Sequence, residues 1–191
     1  DSIAGGKGFG THPHDNMEII TIPLEGALAH KDNMGNGTII KKGDIQVMSA
    51  GTGITHSEFN SNEDHAVKVL QIWLFPNKKN VTPRYDQLSL KDIEVKNEFY
   101  QILSPNQNDQ GVWIYQNSWF SMAEFDSDKE VNYKLNLTSN GVYIFVIEGE
   151  IKVGKESLGK RDGFGIWNTE KINISALKGA KILLMELPMS V

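Results

Sequence analysis

The chain has 191 residues, of which 39% are hydrophobic and 23% are charged, so it is long enough for one large or two small globular domains. Its charge is acidic, with 24 Asp and Glu against 19 Lys and Arg, which argues against direct binding of nucleic-acid phosphates. The chain contains no cysteine, which excludes disulfides, thiolate metal ligands and a cysteine nucleophile.

The predicted elements are almost all strands. Runs rich in Val, Ile, Phe and Tyr alternate with Gly, Asn and Asp clusters, which is typical of an all-β protein. In chain order the predicted strands are residues 18–24, 45–48, 67–75, 111–120, 143–147, 164–167 and 181–187. Helical periodicity is scarce, and its best candidate is one turn at residues 85–90. The apolar run 142–147 is far shorter than the about 20 residues of a membrane helix, so we expect a soluble, cytoplasmic protein without a membrane partner.

The two halves of the chain resemble each other. In each half a predicted strand ends at Glu-Gly, a turn with Gly and Asp follows, and an apolar strand closes the unit. The matching segments are 22–26, 42–48 and 69–73 in the first half, and 146–149, 161–167 and 182–186 in the second. Such self-similarity predicts a duplicated small β-barrel. The boundary is predicted in the polar stretch 104–110, which gives an N-terminal domain of residues 1–103 and a C-terminal domain of residues 104–191.

Three of the five histidines lie in two compact clusters of the first half, His12-Pro-His14 and His56-Ser-Glu58. Side chains two apart on a strand point to the same face, about 6 to 7 Å apart, so each cluster is a two-pronged ligand pair. A single His-x-His is commonly a surface or packing feature. The second pair, His-x-Glu after a Gly-rich turn, favours a metal site, because three imidazoles and one carboxylate suit iron, nickel, copper, manganese or zinc.

Glu18 is an alternative carboxylate ligand. On a straight strand it would lie about 13 Å beyond His14, whereas Glu58 is one pleat from His56, so Glu58 is preferred. A bend after Pro13 would bring Glu18 back towards the site. Gly51 and Gly53 are expected to adopt positive φ and to deliver His56 to the barrel interior.

Other polar residues are assigned more weakly. His30 and His65 stand beside charged turn residues and are predicted to be surface histidines. Gln71 and Trp73 share one strand face, where they either line a pocket or belong to the apolar core. The glycines of residues 5–10 precede no predicted helix, which argues against a phosphate-binding loop.

Five segments of the chain carry a family-specific pattern: residues 8–14 (GFGTHPH), 24–26 (LEG), 46–58 (QVMSAGTGITHSE), 70–73 (LQIW) and 82–85 (TPRY). Together they closely resemble the pirin family of the cupin superfamily, particularly its bacterial members. The resemblance covers essentially the whole chain and is more specific in the first half. It implies an all-β bicupin, with two double-stranded β-helix barrels. The metal would lie in the N-terminal barrel, on His12, His14, His56 and Glu58, and the C-terminal barrel would be degenerate. Family members begin with further strands, so we expect the first barrel to lack its first strands.

The resemblance also implies an activity. Some pirins are described as quercetin 2,3-dioxygenases, so we expect cleavage of a flavonol by dioxygen with loss of carbon monoxide. The expected cofactor is one divalent transition metal, Fe(II) first, with Ni, Co, Mn, Cu or Zn as alternatives, and Glu58 would be the general base. A second hypothesis is a non-catalytic, redox-sensing metal protein that acts on a protein partner. A third is a structural remnant that binds metal weakly or not at all.

Overall fold

The structure, a computed structural model, describes residues 1–189 and consists of strands and one short 3-10 helix. In chain order the elements are β1 (Ser2–Ile3), β2 (Gly8–His14), β3 (Glu18–Glu25), β4 (Ala27–Asp32), β5 (Gly37–Lys41), β6 (Asp44–Ser49), β7 (Ile54–Asn60), β8 (Val67–Leu74), β9 (Arg84–Ser89), the 3-10 helix (Leu90–Asp92), β10 (Tyr100–Ser104), β11 (Val112–Trp113), β12 (Trp119–Glu124), β13 (Lys129–Lys134), β14 (Asn140–Glu148), β15 (Ile151–Val153), β16 (Glu156–Leu158), β17 (Gly163–Ile166), β18 (Lys171–Ala176) and β19 (Lys181–Pro188). The described part of the chain contains no helix with the length and hydrophobicity of a membrane-spanning segment.

The predicted all-β class is confirmed, and two local predictions are wrong. The expected helical turn at residues 85–90 is instead strand β9, which pairs with β6 and presents Tyr85 and Gln87 to one side, where they hydrogen-bond to each other. The turn comes afterwards, at Leu90–Asp92. The expected strand 111–120 is two strands, β11 and β12, because pairing stops between residues 113 and 119.

The first compact unit comprises Asp1–Asp92 together with Val112–Gln116. It has two antiparallel sheets, with strand orders β1-β8-β3-β6-β9 and β2-β7-β4-β5. Apolar side chains from both sheets pack together inside: one cluster joins Ile3, Leu28, Val67 and Val69, and another joins Ile19, Met48, Ala50 and Ile54. The two sheets therefore face each other as the walls of a barrel.

The second unit comprises Ile93–Gly111 and the described residues from Asn117 onward. Its sheets run β10-β12-β19-β14-β17 and β13-β18-β15-β16. One apolar core fills the space between them, with Phe125, Tyr133, Ile144, Ile174 and Leu184 among its buried members. The domain boundary predicted after residue 103 falls within Ile93–Gly111, which belongs to this second unit. The domain limits themselves remain a prediction.

The two units share one topology. The strand order β8-β3-β6 opposite β2-β7-β4-β5 in the first is matched by β19-β14-β17 opposite β13-β18-β15-β16 in the second. Gly26 and Gly149, the glycines of the repeated Glu-Gly turns, both have φ of 75°. Gly43 in the next matching turn has φ of 92°, and Arg161 takes that conformation in the second unit with φ of 74°. The duplication expected from the sequence is therefore confirmed.

Candidate metal centre

Strands β2, β7 and β4 are neighbours in one sheet of the first unit and carry the candidate site. Across β2 and β7, His12 lies opposite His56; across β7 and β4, Glu58 lies opposite His30 and His56 opposite Asp32. Because side chains alternate along a strand, these residues and His14 occupy one face. The burial of His56, Glu58 and His30, each 2% exposed, shows that this face is turned into the barrel.

Two local features of the backbone set this register. A β-bulge between Phe9 and His12 brings His12 opposite His56, and the Gly10 carbonyl then accepts a hydrogen bond of 2.8 Å from His12 Nδ1. Before β7, Gly51 and Gly53 have φ of 50° and 135°, as the sequence predicted. A Cβ on Gly51 would lie 2.0 Å from the Val81 carbonyl oxygen, so this turn has no room for a side chain.

Three imidazoles form an outer cluster at the barrel wall. The ring centroids of His12, His14 and His56 lie 4.4 to 5.0 Å apart. One ligand atom from each ring lies within 4.8 Å of the others, a spacing that could hold a metal ion. Three of the four predicted ligands are thus brought together.

An inner cluster shares His56 with the outer one. His30, His56 and Glu58 also offer ligand atoms within 4.8 Å of one another, and all three side chains are buried. The fourth predicted ligand, Glu58, therefore adjoins the three imidazoles through His56. Which of these atoms bind a metal remains a prediction.

The prediction that His30 is a surface histidine is wrong. His30 is buried, its Nε2 lies 3.2 Å from Asp32 Oδ2, and its Nδ1 lies 3.5 Å from His56 Nδ1. The sequence contains the signal that would have found it, since His30-Lys31-Asp32 has the same two-residue period as His12-Pro13-His14. The neighbouring charges obscured that signal, because Lys31 is exposed on the outer face while Asp32 points inward. For His65 the expectation is confirmed, with a side chain 62% exposed.

The alternative ligand Glu18 is held elsewhere. It lies on β3, in the opposite sheet, and accepts a hydrogen bond of 2.7 Å from Ser49 Oγ. Its side chain is buried, and among residues 1–189 it belongs to neither candidate cluster. The chain does bend between β2 and β3, at Asn16 with φ of 44°, but this bend carries Glu18 into the opposite sheet and does not add it to either cluster.

Gln71 and Trp73 line the site instead of joining the apolar core. Gln71 Nε2 donates a hydrogen bond of 2.8 Å to Glu58 Oε2, and Trp73 Nε1 donates one of 3.3 Å to Gln71 Oε1. The Trp73 ring meets His14 edge-on at a centroid distance of 5.0 Å, yet the residue is 52% exposed. The site thus extends from the buried Glu58 to an aromatic surface at the barrel mouth.

Burial and neighbouring imidazoles favour the neutral forms of His56 and His14. Burial, followed by the neighbouring imidazoles of His12, His30 and His14, lowers the pKa of His56 from 6.5 to about 3. Burial and His12 also lower the pKa of His14. A neutral imidazole is the form that binds a metal, so these rings need not release a proton at neutral pH. Burial raises the pKa of Glu58, against the hydrogen bond from Gln71.

Two buried atoms test whether a metal fits this arrangement. His56 Nε2 and Glu58 Oε1 have no hydrogen-bond partner among the described residues. Leaving a buried polar atom unsatisfied costs about 1–3 kcal/mol, so both call for a partner. Because the unpaired atoms are an imidazole nitrogen and a carboxylate oxygen beside two further imidazoles, the donor set suits a divalent transition metal.

The corresponding positions of the second unit carry neither histidine nor carboxylate. The pairing of β15 with β18 matches that of β4 with β7, which places Ile172 and Ile174 where β7 carries His56 and Glu58. By the same register Val153 stands at the position of His30, and Tyr133 at that of His12. All four side chains are buried in the apolar core of that unit.

Comparison with known proteins gives the family. A model named Pirin matches residues 1–74, and a model of the quercetinase C-terminal cupin domain matches residues 101–187. The quercetin 2,3-dioxygenase of Escherichia coli strain K12 is 35% identical over 188 residues, which cover 98% of this chain and 80% of that protein. The chain belongs to the pirin family. A pirin-like protein of Caulobacter vibrioides is 33% identical, over 97% of this chain and 80% of its own length.

Solved pirin structures share the fold. The crystal structure of the bacterial pirin YhhW from E. coli in complex with nickel(II) matches with a TM-score of 0.90 and 34% identity, covering 98% of this chain and 79% of that one. The bicupin architecture expected for a pirin is therefore confirmed. In that relative the bound ion is nickel(II).

Proposed function

We propose that this pirin is a metal-dependent dioxygenase of the quercetinase type, which binds one divalent transition metal through His12, His14, His56 and Glu58. The observation that carries the proposal is the pair of unsatisfied buried atoms, His56 Nε2 and Glu58 Oε1. His56 clusters both with His12 and His14 and with Glu58 and His30. The E. coli relative supports it, by its name and by the nickel(II) bound in its crystal structure. We propose Fe(II) as the native metal, since a site of imidazoles and a carboxylate suits iron as well as nickel.

The proposed substrate is a flavonol, with dioxygen as the second reactant. A metal bound at the site supplies Lewis acidity, which polarises a coordinated hydroxyl group and lowers its pKa. Glu58 takes the proton of the flavonol 3-hydroxyl, and its buried carboxylate with a raised pKa is a better base than an exposed one. To accept the proton, Glu58 Oε1 would first have to leave the metal, while Gln71 keeps its hydrogen bond to Oε2. The overall reaction adds both oxygen atoms of dioxygen and releases carbon monoxide.

The barrel mouth suits a flat aromatic molecule. Trp73 is half exposed next to His14, and Phe75, two residues further along, is 67% exposed. An indole face stacks on aromatic rings with centroids about 4.5–7 Å apart. We propose that Trp73 contacts the aromatic rings of the flavonol, whose 3-hydroxyl would then point towards the residues that would hold the metal.

The test is metal analysis of the purified protein followed by aerobic quercetin turnover on the same sample. About one metal per chain is expected, with turnover that His14→Ala and His56→Ala both abolish while the barrel stays folded. His65→Ala is the matched control, because that exposed imidazole lies outside both clusters. Metal binding without turnover would contradict the dioxygenase proposal and favour a non-catalytic metal protein. Full metal content in His56→Ala would contradict the ligand set.

A further inference from the structure

The two ring nitrogens of His56 have different surroundings. Nε2 is buried without a hydrogen-bond partner among residues 1–189, on the ring that meets His12 and His14. Nδ1 lies 3.5 Å from Nδ1 of His30, on the neighbouring strand. A neutral imidazole carries one N–H and one lone pair, so the surroundings decide which nitrogen has the proton.

Asp32 determines the tautomer of His30. Its Oδ1 accepts hydrogen bonds from the backbone N–H groups of Met34 (2.9 Å) and Asn36 (3.0 Å), and its Oδ2 accepts one from Asn36 Nδ2 (2.7 Å). All of these are donors, so they favour an ionised carboxylate. His30 Nε2, 3.2 Å from Oδ2, then donates to this carboxylate, and a His30 ring with a single proton presents its lone pair at Nδ1.

We infer that His30 is a positioning residue, whose Nδ1 accepts the Nδ1–H of His56 and thereby leaves the His56 Nε2 lone pair directed at His12 and His14. The chain Asp32–His30–His56 would thus fix one ligand atom of the centre before any ion binds. Its role in metal binding rests on the proposed function, whereas the tautomer is a property of the metal-free protein. The ring of Tyr85, 4.9 Å from that of His30, holds His30 in this position.

In the alternative arrangement, His30 would itself be a metal ligand, together with His56 and Glu58. His56 would then turn its Nδ1 lone pair to the ion and carry its proton on Nε2. That N–H would be buried without an acceptor among the described residues. A buried unsatisfied donor is unfavourable, so the geometry favours the positioning role.

The first test reads the tautomers by ¹⁵N NMR of the metal-free protein at neutral pH. Protonated Nδ1 and unprotonated Nε2 are expected for His56. Asp32→Asn should reverse this, because an amide placed at Oδ2 donates to His30 Nε2 and moves the His30 proton to Nδ1. Asn36→Ala is the control, since it removes one donor to Asp32 and keeps the carboxylate. Protonated Nε2 on wild-type His56, or no change in Asp32→Asn, would overturn the inference.

The second test measures Ni(II) affinity by competition with a chelator. His30→Leu should weaken binding about 10- to 100-fold, as for other residues that orient a metal ligand, and His30→Gln, which offers a carbonyl acceptor, should recover part of it. X-ray absorption should count the same number of imidazoles on Ni(II) in His30→Leu as in the wild type. Loss of one imidazole would make His30 a ligand and overturn the inference, as would unchanged affinity. A wild type that shows the expected tautomer but binds no Ni(II) would support the hydrogen bonds from Asp32 through His30 to His56 and refute the proposed metal function.

Discussion

Gln71 Nε2 donates a hydrogen bond of 2.8 Å to Glu58 Oε2, while Glu58 Oε1 has no hydrogen-bond partner among residues 1–189. The two oxygens of one buried carboxylate are therefore inequivalent. Gln71 fixes the orientation of the carboxylate and leaves the second oxygen available to another partner. Trp73 in turn fixes the Gln71 amide through its indole N–H, which couples an exposed aromatic residue to the buried acid.

Gln71→Leu is expected to weaken metal binding about tenfold, since orienting partners of metal ligands contribute on this scale. Trp73→Phe should have a smaller effect, because it keeps the Gln71 amide and removes only the indole N–H. Competition titration with Ni(II) measures both. Gln110→Leu, at an exposed position of the second unit, is the matched control. Equal affinity in Gln71→Leu and wild type would show that Gln71 does not orient Glu58.

Glu58→Gln and Glu18→Gln distinguish the two candidate carboxylates. Glu58→Gln removes the anionic ligand, and we expect metal affinity to fall at least about tenfold, or about 1.4 kcal/mol. Glu18→Gln keeps an oxygen that can accept the Ser49 hydrogen bond, so the affinity should change by less than about twofold. Isothermal titration with Ni(II) compares the two variants. The opposite order would return Glu18 to the ligand set.

The metal-free protein is expected to lose stability at His56 as the pH falls below 6.5. Burial lowers the pKa of this imidazole to about 3, so between these values the unfolded chain binds a proton that the folded chain does not. From pH 6.5 to 5.5 the loss through His56 is about 1 kcal/mol. Glu18 and Glu58, whose pKa values burial raises, act in the opposite direction.

The comparison with His56→Gln isolates this effect. Urea unfolding of both proteins at the two pH values gives the difference in free energy of unfolding between wild type and variant. On going to the lower pH, the wild type should lose about 1 kcal/mol more in free energy of unfolding than His56→Gln does. A difference that does not depend on pH would mean that His56 titrates equally in the folded and unfolded states.

Glu186 stabilises the second unit. Its buried carboxylate accepts hydrogen bonds from the Tyr133 hydroxyl, the Asn136 and Leu137 backbone N–H groups, and the side-chain amides of Asn136 and Asn140. Burial and this carboxylate raise the pKa of Tyr133, which keeps the phenol a donor. In Glu186→Gln an amide N–H₂ would face these donors, so we expect a loss of about 3 kcal/mol in the free energy of unfolding.

Thermal and urea unfolding measure this loss, with the exposed Glu156→Gln as control. Metal content per folded chain should stay the same in both variants, since the candidate ligands all lie in the first unit. A stability equal to that of the wild type would mean that the carboxylate charge is not needed there.

The sequence by itself determined the β class, the duplication and the candidate ligand pairs. The alternation of side chains along a strand is a local property, so His12 with His14, and His56 with Glu58, could be assigned to shared faces from spacing alone. The repeated Glu-Gly turns likewise depend on the φ of single residues, Gly26 and Gly149, and so are visible in the sequence.

The tertiary structure alone decided which faces meet. Spacing places His30 and Asp32 on one face of a strand, but only the pairing of β4 with β7 puts that face beside His56 and Glu58. Likewise only the pairing of β9 with β6 turns residues 84–89 into a strand. Strand register depends on contacts between residues far apart in the chain, and a shift of one residue would reverse every face. For that reason the candidate ligands could be predicted from the sequence, whereas the meeting of the His30 and Asp32 face with His56 and Glu58 could not.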